Sequence, residues 1–371
     1  MSVVTAAARR RWAVVVAGTT LLVAAPSLGA AAVSVATRPA SAPAPEAVLR
    51  RVLASASVAH QGLAESRGSL GLPDVRQFGD VAGLLGSTTR MRVWWQDADR
   101  WRVARLTATG EQDVYAPTAD TVVTWDYERN TRRTVIGRDE IRLPRVDDLL
   151  PPQAARRLLG HLGMDDRLSA LPARRIAGHA ALGLRVVPAS PKRTIGAVDV
   201  WADAGSGLPL ALAVQDRNGV VAYETTFLDV DVARPPDADI EVPTPMGARL
   251  ETADAPDVVA AVDRYARLPL PARLAGEPRT PGIVRGTATF GRGLARFVVI
   301  PLPPGPAGDV LDAARLRAPV QDVTGGRLAV LDSGVVTAAV AVGDDTSYLV
   351  AGLVTTDVVR DAAQELLRGE S

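Results

Sequence analysis

The chain has 371 residues, long enough for two domains, and its 42 basic and 41 acidic residues leave a net charge of +1. So balanced a charge supplies no field to draw a nucleic acid, and no nucleic-acid partner is expected. The absence of cysteine excludes disulfides, cysteine nucleophiles, thiolate metal sites and a lipidated amino-terminal cysteine. His60, His161 and His179 are the only imidazoles and none has a partner at metal-ligand spacing, so neither metal nor cofactor is expected.

Arg9, Arg10 and Arg11 precede a nearly uncharged run from Trp12 to Thr37. A basic flank followed by an apolar segment is the pattern of an export signal, with Ala30-Ala31-Ala32 and Ser34-Val35-Ala36 as cleavage sites. The run also reaches the roughly 20 residues that span a bilayer. Residues 1–37 are therefore a signal peptide or a retained membrane anchor. Both readings place the body in the extracytoplasmic cell envelope, secreted or anchored, where chemistry that depends on ATP or NAD is disfavoured. Residues 38–45 form a proline-rich tether. Val48, Leu49, Val52, Leu53 and Val58 fall near helical spacing, which predicts an amphipathic helix over Glu46–His60. A first strand with its turn is expected over Gly62–Leu72, and a loop or short helix over Asp74–Leu85.

Arg90 to Ile136 holds four short runs rich in Val, Thr, Trp and Tyr, separated by Asp-Ala-Asp, Thr-Gly-Glu, Pro-Thr-Ala-Asp and Glu-Arg-Asn. Such runs suit a pleated surface and such separators suit turns, so an antiparallel meander is predicted. Alternation puts Met91, Val93 and Trp95 on one face and Arg90, Arg92 and Trp94 on the other. Four of the six tryptophans (Trp94, Trp95, Trp101 and Trp125) lie here, with Tyr115 and Tyr127. They either fill the core of a large sheet or line an apolar cleft suited to acyl chains or a hydrophobic peptide. The expected lining, uncertain by one register, is Val93, Trp95, Trp101, Val103, Val123 and Trp125.

Proline tolerance in a first helical turn predicts a helix from near Pro152 to Gly160 or Gly163. Further strands follow at 174–178, 181–188, 196–201, 209–215 and 220–227, with Asn218-Gly219 a strong hairpin pair. A helix is expected over Asp257–Leu268, and the proline-rich stretch Leu268–Gly282 is read as a boundary without regular structure. Beyond it the pattern gives a strand over Gly286–Pro301, a helix over Val310–Arg317, strands at 327–331, 334–342 and 346–353, and a helix over Thr356–Leu367. The domain division is thus 46–250, a helix and linker over 251–282, and 283–371.

Catalytic residues are not expected. Gly291-Arg292-Gly293 lacks the third glycine of a dinucleotide loop and reads as a turn. The paired acids Asp147-Asp148 and Asp165-Asp166 read as helix-end charges, Asp344-Asp345 as a hairpin tip, and no Gly-x-Ser-x-Gly elbow is present. An envelope hydrolase using the paired aspartates is the outlying alternative.

The phrases Trp94-Trp95-Gln-Asp-Ala-Asp-Arg-Trp-Arg-Val, Ala119-Asp-Thr-Val-Val-Thr-Trp-Asp-Tyr and Val200-Trp201-Ala-Asp-Ala-Gly-Ser-Gly-Leu-Pro209 resemble those of the lipoprotein-carrier (LolA-like) fold. Ala288–Val299 and Val340–Gly352 resemble the second domain of RseB/MucB-type periplasmic regulators of anti-sigma factors. The resemblance implies an α+β fold: a strongly curved antiparallel half-barrel sheet with helices across its concave face, plus a smaller α+β carboxy-terminal domain. It further implies a non-enzymatic protein that binds a lipid, an acylated peptide or a lipoprotein and contacts a membrane-bound anti-sigma factor. The alternative is a carrier of lipoprotein or other amphipathic cargo, beside a transporter. Carriers place a basic residue and a proline before the phrase at Trp101, where this chain has Trp95-Gln96-Asp97-Ala98, so their basic latch transfers to no residue here.

Overall fold

The computed structural model describes residues 43–69, 83–137, 144–244, 246–255, 269–280 and 287–369. The export segment, the tether up to Ala42, most of Asp74–Leu85 and the expected helix at Asp257–Leu268 lie outside them. Helix α1 (Pro45–Ala54) buries Val48 and Val52 and ends in a 3₁₀ turn, Ser55–Ser57. It stops short of the expected His60, which instead opens β1 (His60–Gly68). Five strands then run as a meander: β2 (Thr88–Asp97), β3 (Arg100–Leu106), β4 (Glu111–Thr118), β5 (Thr121–Asp126) and β6 (Thr131–Ile136). After a 3₁₀ turn, Val146–Leu149, helix α2 (Pro151–Leu159) begins on two prolines and is capped by Gly160, as the spacing predicts. A second meander follows: β7 (Arg167–Ile176), β8 (His179–Val187), β9 (Ile195–Asp203), β10 (Pro209–Asp216) and β11 (Val221–Asp231).

Among the described residues these strands make one twelve-stranded open sheet. Its order is β12-β6-β5-β4-β3-β2-β1-β11-β10-β9-β8-β7, with β12 spanning Arg249–Asp254. Strand β1 lies in the middle and joins the two meanders, pairing antiparallel with β2 on one side and β11 on the other. Its Gly62 is required there, because a Cβ would stand 2.2 Å from the Asp229 carbonyl oxygen. Strand β12 closes the far edge by pairing parallel with β6 and runs across the expected boundary at residue 250. Helix α2 packs on β10 and β11, and α1 packs on α2, β7 and β8.

The second sheet has eight strands in the order β13-β14-β15-β16-β20-β19-β18-β17. Strands β13 (Arg273–Leu274) and β14 (Glu277–Thr280) form a hairpin inside the proline-rich stretch read as irregular. The hairpin turns on Ala275 and Gly276, both left-handed, and an alanine in that role gives no warning in a sequence. The expected single strand at 286–301 is a hairpin too, β15 (Ala288–Arg292) and β16 (Ala295–Pro301), folded where Gly291 and Gly293 take positive φ. Helix α3 (Pro304–Arg315) starts earlier than Val310. Strands β17 (Val320–Val323), β18 (Gly326–Asp332), β19 (Thr337–Val342) and β20 (Ser347–Gly352) precede α4 (Thr356–Arg368). That helix buries Val358, Val359, Ala362, Ala363 and Leu366 and is capped by a left-handed Gly369. Among the described residues no helix is long and apolar enough to cross a membrane.

The two sheets meet at the segment between β8 and β9. Thr194 donates its backbone N–H to the Leu353 carbonyl at 3.2 Å and its hydroxyl to the Val335 carbonyl at 2.6 Å. Lys192, the only lysine in the chain, accepts the Thr355 N–H at 2.8 Å on its carbonyl. Its ammonium reaches Glu277 at 2.7 Å and the Ala275 carbonyl at 3.1 Å.

Two buried polar groups hold the large sheet from opposite faces. His60 is wholly buried, its Nδ1 bonded to the Val58 carbonyl at 2.9 Å and its ring stacked on Trp95. Burial lowers its pKa to about 4, so it is neutral in the fold. Asp113, also wholly buried, accepts the Tyr115 hydroxyl at 2.7 Å and the Tyr127 hydroxyl at 3.2 Å, and pairs with Arg102 at 2.8 Å.

The unfolded chain protonates His60 near pH 6.5 and the folded chain only near pH 4. Its contribution is therefore whole above about pH 6.5 and is lost as the pH falls toward about 4, a cost of about 3 kcal/mol. Urea unfolding of His60→Phe beside the wild type across that window is expected to show a shallower loss in the variant, and parallel curves would remove His60 as the cause. Asp113→Ala leaves Arg102 without its buried partner and is expected to cost about 3–5 kcal/mol, and a denaturant series yielding under about 1 kcal/mol would show the guanidinium rehydrating.

Candidate functional site

Alternation along β2 drives Met91, Val93 and Trp95 into the core. Register pairs Val93 with Val103 and Trp95 with Trp101 across β3. The Trp95 and Trp101 rings stack with centroids 5.3 Å apart and planes 7° apart, and the Trp101 indole N–H donates to the Ala98 carbonyl at 3.2 Å. Trp94 turns to the other face, where the Arg102 guanidinium lies 4.4 Å from its ring centroid.

A cleft of about 310 Å³ opens beside the stacked indoles. Trp95, Ala98, Trp101, Ala116, Ala119 and Val122 give it a mainly apolar wall from the sheet side, with Thr118 and Thr121 among them. The 3₁₀ turn and α2 supply Arg145, Asp147, Asp148, Gln153, Arg156 and Arg157 opposite.

Of the six residues expected to line a cleft, Val93, Trp95, Trp101 and Val103 share one core, and Trp95 and Trp101 reach the cleft wall while the two valines lie beneath. Val123 and Trp125 are on the opposite face, packed with Tyr115 under Val242 and Ala248. Register explains the difference. Trp101 pairs with Ala116, but Val123 pairs with Tyr115 and Trp125 with Asp113, one position out of phase. An irregularity between Tyr115 and Thr118 separates the strands. Alternation inside each strand is legible, but phase does not carry across such a turn, and Val122 takes the place expected of Val123.

The paired acids have structural partners. Asp147 pairs with Arg145 at 3.1 Å. Asp148 accepts the Arg145 backbone N–H at 2.8 Å and pairs with Arg157 at 2.7 Å. Arg145 in turn places its guanidinium 5.8 Å from the Trp101 ring centroid. Asp166 accepts the backbone N–H groups of Gly163 and Ala189 at 2.8 and 2.9 Å. Among the described residues no three acids or histidines gather at metal-binding distance. The phrase Val200–Pro209 builds the β9–β10 turn: Asp203 accepts the backbone N–H groups of Gly205 and Ser206 at 3.0 and 2.7 Å and the Ser206 hydroxyl at 2.8 Å.

Two cleft residues escape the sequence reading, Gln153 and Arg156. Polar side chains on an amphipathic helix read as a solvated face, and the only hint is their i, i+3 spacing beside the buried Pro152 and Ala155.

No protein-family model and no curated protein matches the sequence. Alignments to solved structures cover about half of the chain or more. A chain of the Pseudomonas aeruginosa MucA/MucB complex aligns over 86% of this chain and 96% of its own at 17% identity, with a TM-score of 0.48. A LolA superfamily protein from Nitrosomonas europaea aligns over 54% of this chain and 99% of its own at 11% identity, TM-score 0.25. The Mycobacterium tuberculosis lipoprotein LppX aligns over 52% and 97% at 14% identity, TM-score 0.28.

Proposed function

We propose that this chain is a non-enzymatic, extracytoplasmic binding protein of the cell envelope that holds an acyl chain of a lipid or lipoprotein in the cleft beside Trp95 and Trp101. The observation that carries this reading is the stacked indole pair as the wall of an open cleft, continued by Ala98, Ala116 and Val122. Packing alone does not need small residues beside the largest side chains at a surface opening, whereas an apolar wall with a few polar groups opposite suits an amphiphile. The large sheet then acts as a half-barrel with its helices over the binding face, and the second sheet contacts a membrane partner of the anti-sigma-factor kind. Ligand binding to one conformation alone would bias that partner by mass action.

Native mass spectrometry of the full chain with dodecyl amphiphiles tests this reading. Val122→Trp fills the cleft from a half-buried position, and Ala119→Trp does so from an exposed one. Both are expected to weaken uptake by about tenfold or more with unchanged circular dichroism. Uptake that survives in both variants would move the ligand elsewhere.

A further inference from the structure

The apolar wall of the cleft faces a cation that has no carboxylate partner among the described residues. The cleft holds three arginines and two aspartates. Arg145 is matched to Asp147 and Arg157 to Asp148, at 3.1 and 2.7 Å. Arg156 is the one left over: among the described residues it bonds only the Ser55 carbonyl and hydroxyl, both at 3.4 Å. A half-buried guanidinium carries five donors in a planar fork, and two long bonds to a serine satisfy few of them.

Among the described residues two neighbouring groups are also unmet. The Gln153 side chain, one turn earlier on α2, has both amide atoms shut off from solvent and neither hydrogen-bonded. The Trp95 indole N–H is buried and without an acceptor, in a residue only 5% exposed. Buried polar atoms are nearly always paired, so two such side chains beside Arg156 in the lining of one small cleft mark a place for a polar group from outside the chain. What they lack is mainly an acceptor, since Arg156, Trp95 and the Gln153 amide nitrogen all donate.

We infer that Arg156, Gln153 and the Trp95 indole N–H form a subsite for the anionic head, a carboxylate or a phosphate, of an amphiphile whose chain lies along Trp101, Ala116 and Val122. The inference rests on the acyl-chain reading of the same cleft. Charge-assisted, forked bonds from a guanidinium favour a planar carboxylate or a phosphate over a neutral hydroxyl. Burial also lowers the pKa of Arg156 to about 10, which leaves it charged at neutral pH with its hydration unreplaced. A bound anion would restore what burial removes.

The test uses the full chain and four probes with one common tail: dodecanoate, dodecyl phosphate, 1-dodecanol and dodecyltrimethylammonium, with binding read by tryptophan fluorescence and native mass spectrometry. An anion preferred over 1-dodecanol by about tenfold or more, with the ammonium bound worst, is expected. The stronger of the two anions then identifies a fatty acid or a phosphate-headed lipid as the source. Arg156→Gln is expected to bring anion binding down to about the level of 1-dodecanol, Arg156→Lys to restore part of the difference, and thermal midpoints to hold or rise in both. Equal binding of anion and alcohol by the wild type, or a preference intact in Arg156→Gln, would overturn the subsite and leave the acyl cleft standing. Uptake of none of the four would instead remove the acyl-chain reading itself.

Discussion

Strand β1 is the constraint on which the large sheet depends. Each meander is local in sequence, but the two become one sheet only when nine residues from the start of the chain slot between β2 and β11. That position admits no substitute for Gly62, because the β11 backbone comes within the reach of a Cβ. It also commits His60 to the interior, where the imidazole bonds Val58, stacks on Trp95 and meets the edge of Phe227. The Trp95–Trp101 pair is thus braced from behind by a residue of the joining strand. Pairing of such sequence-distant segments is entropically costly and slow to reach.

Much of this was legible in the sequence because β-structure writes itself in alternation. The tryptophan-rich meander, the Asn218-Gly219 turn and the helix on Pro151-Pro152 follow from local rules and are found where expected. Information carried by relations between elements is harder to read. Val123 and Trp125 are buried as expected of apolar strand residues, yet on the face away from the cleft, since they pair with Tyr115 and Asp113 and the β4–β5 register shifts between Tyr115 and Thr118. The hairpin on Ala275-Gly276 was hidden by prolines that usually argue against strands, yet Pro278 stands in β14 opposite Arg273. Arg156 and Gln153 were hidden for a different cause: nothing in their spacing tells a solvated helix face from one turned over a cleft.

The two faces of the sheet show two ways of handling buried charge. On one, Asp113 gathers two tyrosine hydroxyls and Arg102 on one carboxylate oxygen under the tail around Val242 and Ala248, while its other oxygen has no partner among the described residues. On the other, the cleft leaves donors unsatisfied beside an apolar wall. The first arrangement adds rigidity and specifies register, while the second holds polar groups ready at a cost to the fold.

Lys192 gives the chain an unusual enzymology toward proteases. A lysine-specific endoprotease has one bond to cut, Lys192–Arg193, and that bond lies where the strand connection is clamped against Leu353, Val335 and Glu277. Scission there would divide the large sheet between β8 and β9, and it requires the clamp to open first. The rate of a single cleavage, read as two fragments on a gel, therefore clocks the parting of the two sheets without any label or engineered residue.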